Sequence, residues 1–319
     1  MLRRIRLVPM TDVYRTPERR FARIADYPYE PHYFEPSLDP AGLRMHYVDE
    51  GEGEPVVFVH GEPTWGYLWR EFIGPVVESG RRAIVPDLIG FGKSDKPTDD
   101  AWYSAEKQIL ALDELILELD LEDATIVVHD WGGPIGLRQA ADMPERFKAV
   151  AITNTWLHNR EYVYSEAIRA WHALATGTDF RDMPTGAVVA KNLEASPRGI
   201  DGLDVSAIKA AYDAPFLTIA SKAGARRFPY MLPFGDDPEL GNMTDQVRVF
   251  FSIRTFPGPV HLLWGAADDI FTDDWGREWA DLIAGSTYDA FDGGAHFVQE
   301  QYGAEMAAKL VGYLEDEPG

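Results

Sequence analysis

The chain has 319 residues, no cysteine and a net charge of −22, from 52 acidic against 30 basic residues. Without cysteine there is no disulfide, zinc–thiolate site or thiol nucleophile, and a reducing, cytoplasmic setting fits. So acidic a surface is a poor partner for nucleic acid or an anionic membrane, and no apolar run approaches the roughly 18 residues of a membrane span.

The opening MLRRIRLVPMTDVYRTPERR is basic, but no apolar h-region follows it. It is expected to lie on the body as an arm and not to act as a signal. Short apolar runs then alternate with helical patterns. RMHYVDEG (44–51), PVVFVH (55–60), RRAIVPD (81–87), ATIVVH (124–129), FKAVAITN (147–154), PVHLLWG (259–265) and STYDAF (286–291) read as strands. SAEKQILALDELILELD (104–120) and GPIGLRQAAD (133–142) carry apolar residues at helical spacing between them. Such alternation predicts a mostly parallel sheet with helices on both faces. It fails between about 157 and 235, where helical patterns are broken by Gly and Pro and no strand is convincing. The expected organisation is a sheet core over 1–156, a helical insertion over 157–235, and the rest of the core over 236–319.

The stretch VVHDWGGPIGL (127–137) joins a buried strand to a helix through an acid, a Trp and two glycines. In a parallel sheet, ligands gather at the carboxyl ends of strands, and Asp130 stands at such an end. Gly132 and Gly133 permit a sharp turn, and Pro134 suits a helix's first turn. This is the layout of a nucleophile elbow, with Asp in place of Ser. The helix N-terminus favours an anion by a few tenths to about 1 kcal/mol, so Asp130 needs no base to be nucleophilic. The competing reading is that Asp130 merely caps the helix.

HGEPTW (60–65) follows another strand. A His-Gly turn there commonly builds an oxyanion hole, here from the backbone N–H groups of Glu62 and Trp131. His60 is read as a structural turn histidine. The base candidate is His296, in the Gly-rich loop FDGGAHFVQE (291–300) after the last strand. The acid candidates are Asp268 and Asp269 in LLWGAADDIF (262–271), with helix capping as the bland reading for either. Nucleophile, acid and base thus follow the chain order of an α/β hydrolase. The other histidines lack comparable context, and His129 should point away from the pocket as the strand neighbour of Asp130.

HGEPTW, PDLIGFGKSDKP (86–97), VVHDWGG and GGAHFVQE together resemble the haloalkane dehalogenases, in particular the subfamily with an Asp–His–Asp triad and two halide-binding tryptophans. RTPERRF (15–21), YPYEPHY (27–33) and GARRFPYMLP (224–233) extend the likeness over nearly the whole chain. HDWGG alone is shared with epoxide hydrolases. The resemblance implies an α/β-hydrolase fold with an eight-stranded sheet and a helical cap. It implies that Asp130 displaces halide from a haloalkane, and that His296, oriented by Asp268, activates water against the resulting ester. Neither metal nor organic cofactor is needed; the partners are haloalkane, water and halide.

A leaving halide needs donors, and the Trp131 indole offers one N–H. In another dehalogenase subfamily the second donor is an Asn in the HGNP turn; this chain has Glu62 there, and a carboxylate cannot donate. A cap Trp must then serve: Trp171 matches the family pattern in position, with Trp156 as the alternative. The family's G-x-x-D loop prefers Asp268 over Asp269, and Asn154, where some relatives carry the acid, cannot be the charged member. An epoxide hydrolase would need cap tyrosines, and Tyr162, Tyr164, Tyr212 and Tyr230 lie in the insertion. A non-catalytic member of the fold is a further reading, opposed by the intact triad. The preferred haloalkane and the oligomeric state are not legible. The acid-rich, Lys-poor surface fits either a salt-rich habitat or an ordinary solvated acidic surface.

Overall fold

The computed structural model describes residues 12–157, 164–177, 181–232, 249 and 252–316. The first part of the basic arm (1–11), His158, Tyr162 and the expected end of the insertion at 235 lie outside the described residues.

All seven strands read from the sequence form: β3 (Met45–Glu50), β4 (Pro55–Val59), β5 (Arg82–Pro86), β7 (Ala124–Asp130), β8 (Phe147–Thr155), β9 (Val260–Gly265) and β10 (Thr287–Phe291). An eighth, β2 (His32–Phe34), completes one sheet in the order β10-β9-β8-β7-β4-β5-β3-β2. The pairings from β5 through β4, β7, β8 and β9 to β10 are parallel; β3 runs antiparallel to both β5 and β2. Every residue of β4, β7 and β9 is buried, which is why these strands read as continuous apolar runs and not as alternations. β2 has only three residues, one of them exposed, too few for a period to show in the sequence.

The helices α1 (Arg70–Glu78), α2 (Ala105–Glu118) and α3 (Gly132–Asp142) connect the parallel strands, and α8 (Asp273–Leu282) and α9 (Val298–Asp316) follow β9 and β10. Between β8 and β9 the described residues form α4 (Glu166–Ala175), α5 (Thr185–Ala195), α6 (Val205–Asp213) and α7 (Ala223–Tyr230) and no strand.

The basic arm touches both parts of the molecule. β1 (Val13–Tyr14) pairs with β6 (Lys96–Pro97) on the sheet side. Thr16 Oγ1 donates to the Pro215 carbonyl (2.8 Å), and Arg20 reaches the Ala214 and Asp213 carbonyls (3.4 Å each) after α6. A second seam is buried: Arg70 of α1 forms a two-pronged pair with Glu300 of α9 (2.7 Å on each prong), and Tyr212 of α6 donates to the same carboxylate (2.6 Å). A paired charge whose remaining lone pairs are bonded tolerates burial that a lone charge would not.

Candidate active site

The carboxyl ends of β4, β7, β9 and β10 meet under the inserted helices, and the chemistry collects there. β7 ends in Asp130, whose φ of 51° puts an L-residue in the left-handed region, a conformation costing roughly 1–2 kcal/mol outside Gly. The turn is held from several sides. The β7–β8 ladder shifts register between His129 and Asp130, and Thr155 Oγ1 donates to the Asp130 carbonyl. Gly132 packs against β4 so closely that a Cβ there would meet the Val59 carbonyl oxygen at 2.1 Å. The strain therefore has tertiary support, as a nucleophile elbow requires.

The helix-cap reading of Asp130 does not hold. The N-cap of α3 is Trp131, without a side-chain cap bond. The Asp130 carboxylate instead accepts from the Glu62 backbone N–H on Oδ1 (2.7 Å). A methyl on Gly61 would come within 2.2 Å of that Oδ1 and 2.6 Å of the Trp131 nitrogen, so the turn after β4 must carry Gly there. The two N–H groups assigned to an oxyanion hole thus lie about one carboxylate, with only the Glu62 bond formed.

His296 follows β10 in the Gly-rich loop and is 2% exposed. Its Nδ1 bonds Asp268 Oδ2 (2.9 Å), and its Nε2 faces Asp130 Oδ2 at 3.6 Å. Burial by itself would lower the His296 pKa, but Asp268 and then Asp130 outweigh it and hold the imidazole well above its ordinary range. Asp268 is buried and Asp269 is exposed, which separates the two acid candidates. Asp268 is also fully engaged: Oδ1 accepts from the Ile270 N–H (2.8 Å) and Oδ2 from Asn154 Nδ2 (2.9 Å) as well as from His296.

Asn154, an amide, cannot be the charged member. The structure gives it another task. Its Oδ1 accepts from the Gly265 N–H (2.8 Å) and its Nδ2 reaches both the Gly265 carbonyl (3.2 Å) and Asp268. It clamps the end of β9 and aims the acid. His129 is likewise more than a strand neighbour. It does not line the cavity, but its Nε2 bonds the His296 carbonyl (2.9 Å), and burial lowers its pKa to about 3. A neutral ring there steadies the loop without adding charge. His60 is committed to backbone, Nδ1 to the Gly61 carbonyl (2.8 Å) and Nε2 accepting from the Leu88 N–H (2.9 Å).

Asp130 and His296 open on a cavity of about 180 Å³ whose walls include Glu62, Trp131, Trp171, Ile168, Leu174 and Phe271. The wall is predominantly apolar, as small-molecule sites are. The Trp131 ring is wedged edge-on between Trp156 (4.7 Å) and Phe228 (5.0 Å), which fixes its direction. Trp171 of α4 lines the cavity; Trp156 is fully buried behind Trp131, stacked on Phe271, and does not. No tyrosine among the described residues lines the cavity. Tyr212 is spent on Glu300 (2.6 Å), and Tyr230 is exposed and bonds the Thr176 carbonyl (2.8 Å). Tyr164 is buried with its ring edge-on to Trp275, away from the cavity wall.

A mostly parallel sheet with an acid elbow, a following acid and a final histidine defines an α/β hydrolase, and the model of the alpha/beta hydrolase fold matches residues 54–178. Full-length similarity is narrower in what it shows. The chain is 35% identical to a haloalkane dehalogenase of Mycolicibacterium paratuberculosis, over 94% of this chain and 98% of that protein. It is 33% identical to a haloalkane dehalogenase of Psychrobacter cryohalolentis, over 96% and 99%. Among solved structures, the haloalkane dehalogenase DpaA from Paraglaciecola agarilytica superposes with a TM-score of 0.83 at 34% identity, covering 93% of this chain and 97% of that one. The chain belongs to the haloalkane dehalogenase family.

Proposed function

We propose that this chain hydrolyses the carbon–halogen bond of haloalkanes to an alcohol, a halide ion and a proton, with Asp130 as nucleophile, His296 as base, Asp268 as its orienting acid, and Trp131 and Trp171 as halide donors. The observation that carries the reading is the elbow itself: a carboxylate, not a hydroxyl, faces His296 at 3.6 Å across an apolar cavity. A carboxylate can attack saturated carbon without being deprotonated first.

The two carboxylate oxygens are inequivalent. Oδ1 is tied to the Glu62 N–H, whereas Oδ2 faces the cavity and His296. Oδ2 is therefore the attacking atom. It bonds to carbon as the carbon–halogen bond breaks, and halide leaves toward the Trp131 and Trp171 indole N–H groups. Esterification removes the Asp130 charge, one of the two carboxylates that raise the His296 pKa. With that charge gone the imidazolium releases its extra proton to solvent, so His296 becomes a proton acceptor only once the ester exists, and it takes that proton up again when the Asp130 carboxylate is restored. His296 then takes a proton from water whose oxygen adds to the ester carbon. The charge that develops on Oδ1 falls to the Glu62 and Trp131 N–H groups. Collapse expels the alcohol, which leaves with the proton held by His296, and the water's second proton is released as Asp130 returns to the carboxylate.

In this reading residues 157–235 act as a cap that shapes the substrate space, and the reaction runs in the cytoplasm without a cofactor. Its test is halide release from a panel of terminal chloro- and bromoalkanes, with an epoxide panel alongside. Halide release without added cofactor is expected; epoxide opening with no halide release overturns the assignment.

A further inference from the structure

Glu62 contributes more to the cavity than its backbone. The residue is 4% exposed and lines the same wall as Asp130, Trp131 and His296, and its Oε1 is buried with no hydrogen-bond partner among the described residues. A dry carboxyl beside a second carboxylate cannot hold a charge cheaply: burial first, and then Asp130, push the Glu62 pKa well above its ordinary value, with His296 opposing. Lys191 of α5, the other ionisable side chain on the wall, is exposed. A carboxylic acid that keeps its proton is a donor, and in an apolar cavity such an acid is a means of presenting a hydrogen bond without a charge.

We propose that the Glu62 side chain is a third hydrogen-bond donor to the departing halide, beside the Trp131 and Trp171 indoles. The inference rests on the dehalogenase reading above. The halide is the one anion that the displacement creates in the cavity, and its charge appears as that of Asp130 is consumed. An ionised Glu62 would repel it; a neutral one stabilises it and leaves the nucleophile's charge uncompensated for attack. The acid keeps its proton throughout, so no proton transfer enters the balance of the step. A carboxylate at this position has nothing to donate; the protonated acid that burial favours has one O–H.

The test uses the His296→Gln chain, in which displacement is isolated as a single burst of halide, and compares it with Glu62→Gln and Glu62→Leu made in that background. Leu matches the volume and removes the donor; it should slow the burst and weaken bromide binding by about 100-fold. Gln restores a donor and should recover the burst to within about tenfold of the parent. Infrared difference spectra of the otherwise unaltered chain on adding bromide should show a protonated-carboxyl band that shifts, and Glu62→Gln should abolish it. Equal burst rates in the Leu and Gln variants, or no such band sensitive to Glu62→Gln, overturn the proposal even if Leu impairs folding. Absence of any burst in the parent His296→Gln chain instead breaks the dehalogenase reading, and the donor role with it.

Discussion

The cavity has two kinds of wall. On the sheet side Asp130, Asp268 and His296 hang from the ends of β7, β9 and β10, and their positions are set largely by backbone: the Glu62 and Ile270 N–H groups, and the Gly265 peptide through Asn154. On the helical side Trp171, Ile168 and Leu174 come from one amphipathic helix, α4, whose place depends on side-chain packing and on a few ties at its ends, Ser165 to the Ile270 carbonyl and Tyr230 to the Thr176 carbonyl. Backbone-held groups tolerate sequence change around them as long as the strands and glycines persist. Packing-held groups move with every change of volume. On the proposed reading, nucleophile, acid and base belong to the sheet side, and the fit of the substrate and one halide donor to the helices.

Substitutions on the two walls should therefore differ in kind. The largest effect belongs to Asp130→Ala, which should lower halide release by roughly 10⁴-fold or more while the melting temperature changes little; ordinary turnover by this variant would remove the sheet-side assignment altogether. Trp131→Phe, at the junction of the two walls, should slow displacement by about 100- to 1,000-fold. Trp171→Phe should cost about 10- to 100-fold in displacement rate and weaken halide quenching of fluorescence, while Trp156→Phe leaves halide affinity nearly unchanged. The reverse ordering of the two cap-side tryptophans would show that the buried indole, not the one lining the cavity, is the donor.

Asn154→Ala should slow ester hydrolysis by about tenfold, since Asp268 loses one bond and β9 its clamp, and it should leave the displacement step alone. A pH measurement sharpens the same division. Burial lowers the His296 pKa, whereas Asp268 and Asp130 raise it, with a net rise. The imidazole NMR resonance should thus titrate well above the ordinary histidine range, and Asp130→Asn should bring it down. An unshifted titration in Asp130→Asn would mean that the charge of Asp130 does not control the base. The smallest effect is global: with a charge of −22, the melting temperature should rise as sodium chloride screens self-repulsion, and a flat or falling trend would leave an ordinary solvated acidic surface.

How much was legible follows the same line. Asp130, Asp268 and His296 could be read because each ends a buried apolar run or stands in a Gly-rich turn after one, and such runs are the strongest local signal a parallel sheet leaves. Charge excludes Asn154 as the acid, and Asp268 does hold that place beside His296; the positioning task of Asn154 had a signal of its own, a polar residue near the buried end of a strand, which must bond to something. The raised pKa of Glu62 could not be read at all, because desolvation is a property of the assembled cavity and not of HGEPTW. The pairing of Arg70 and Tyr212 with Glu300 links positions 88 to 230 residues apart, beyond any periodicity. Trp171 was reached only through resemblance, since an indole on an amphipathic helix face is ordinary packing until its neighbours are known.

The central claim is that the sheet side runs two separable steps, with His296 needed only for the second. The most direct measurement gives His296→Gln one terminal bromoalkane, counts the halide released, and then weighs and digests the protein. At most one halide per active site is expected, with the protein heavier by the alkyl group and the group on Asp130. Continuing turnover by His296→Gln, or a stable adduct on any other residue, would contradict the account.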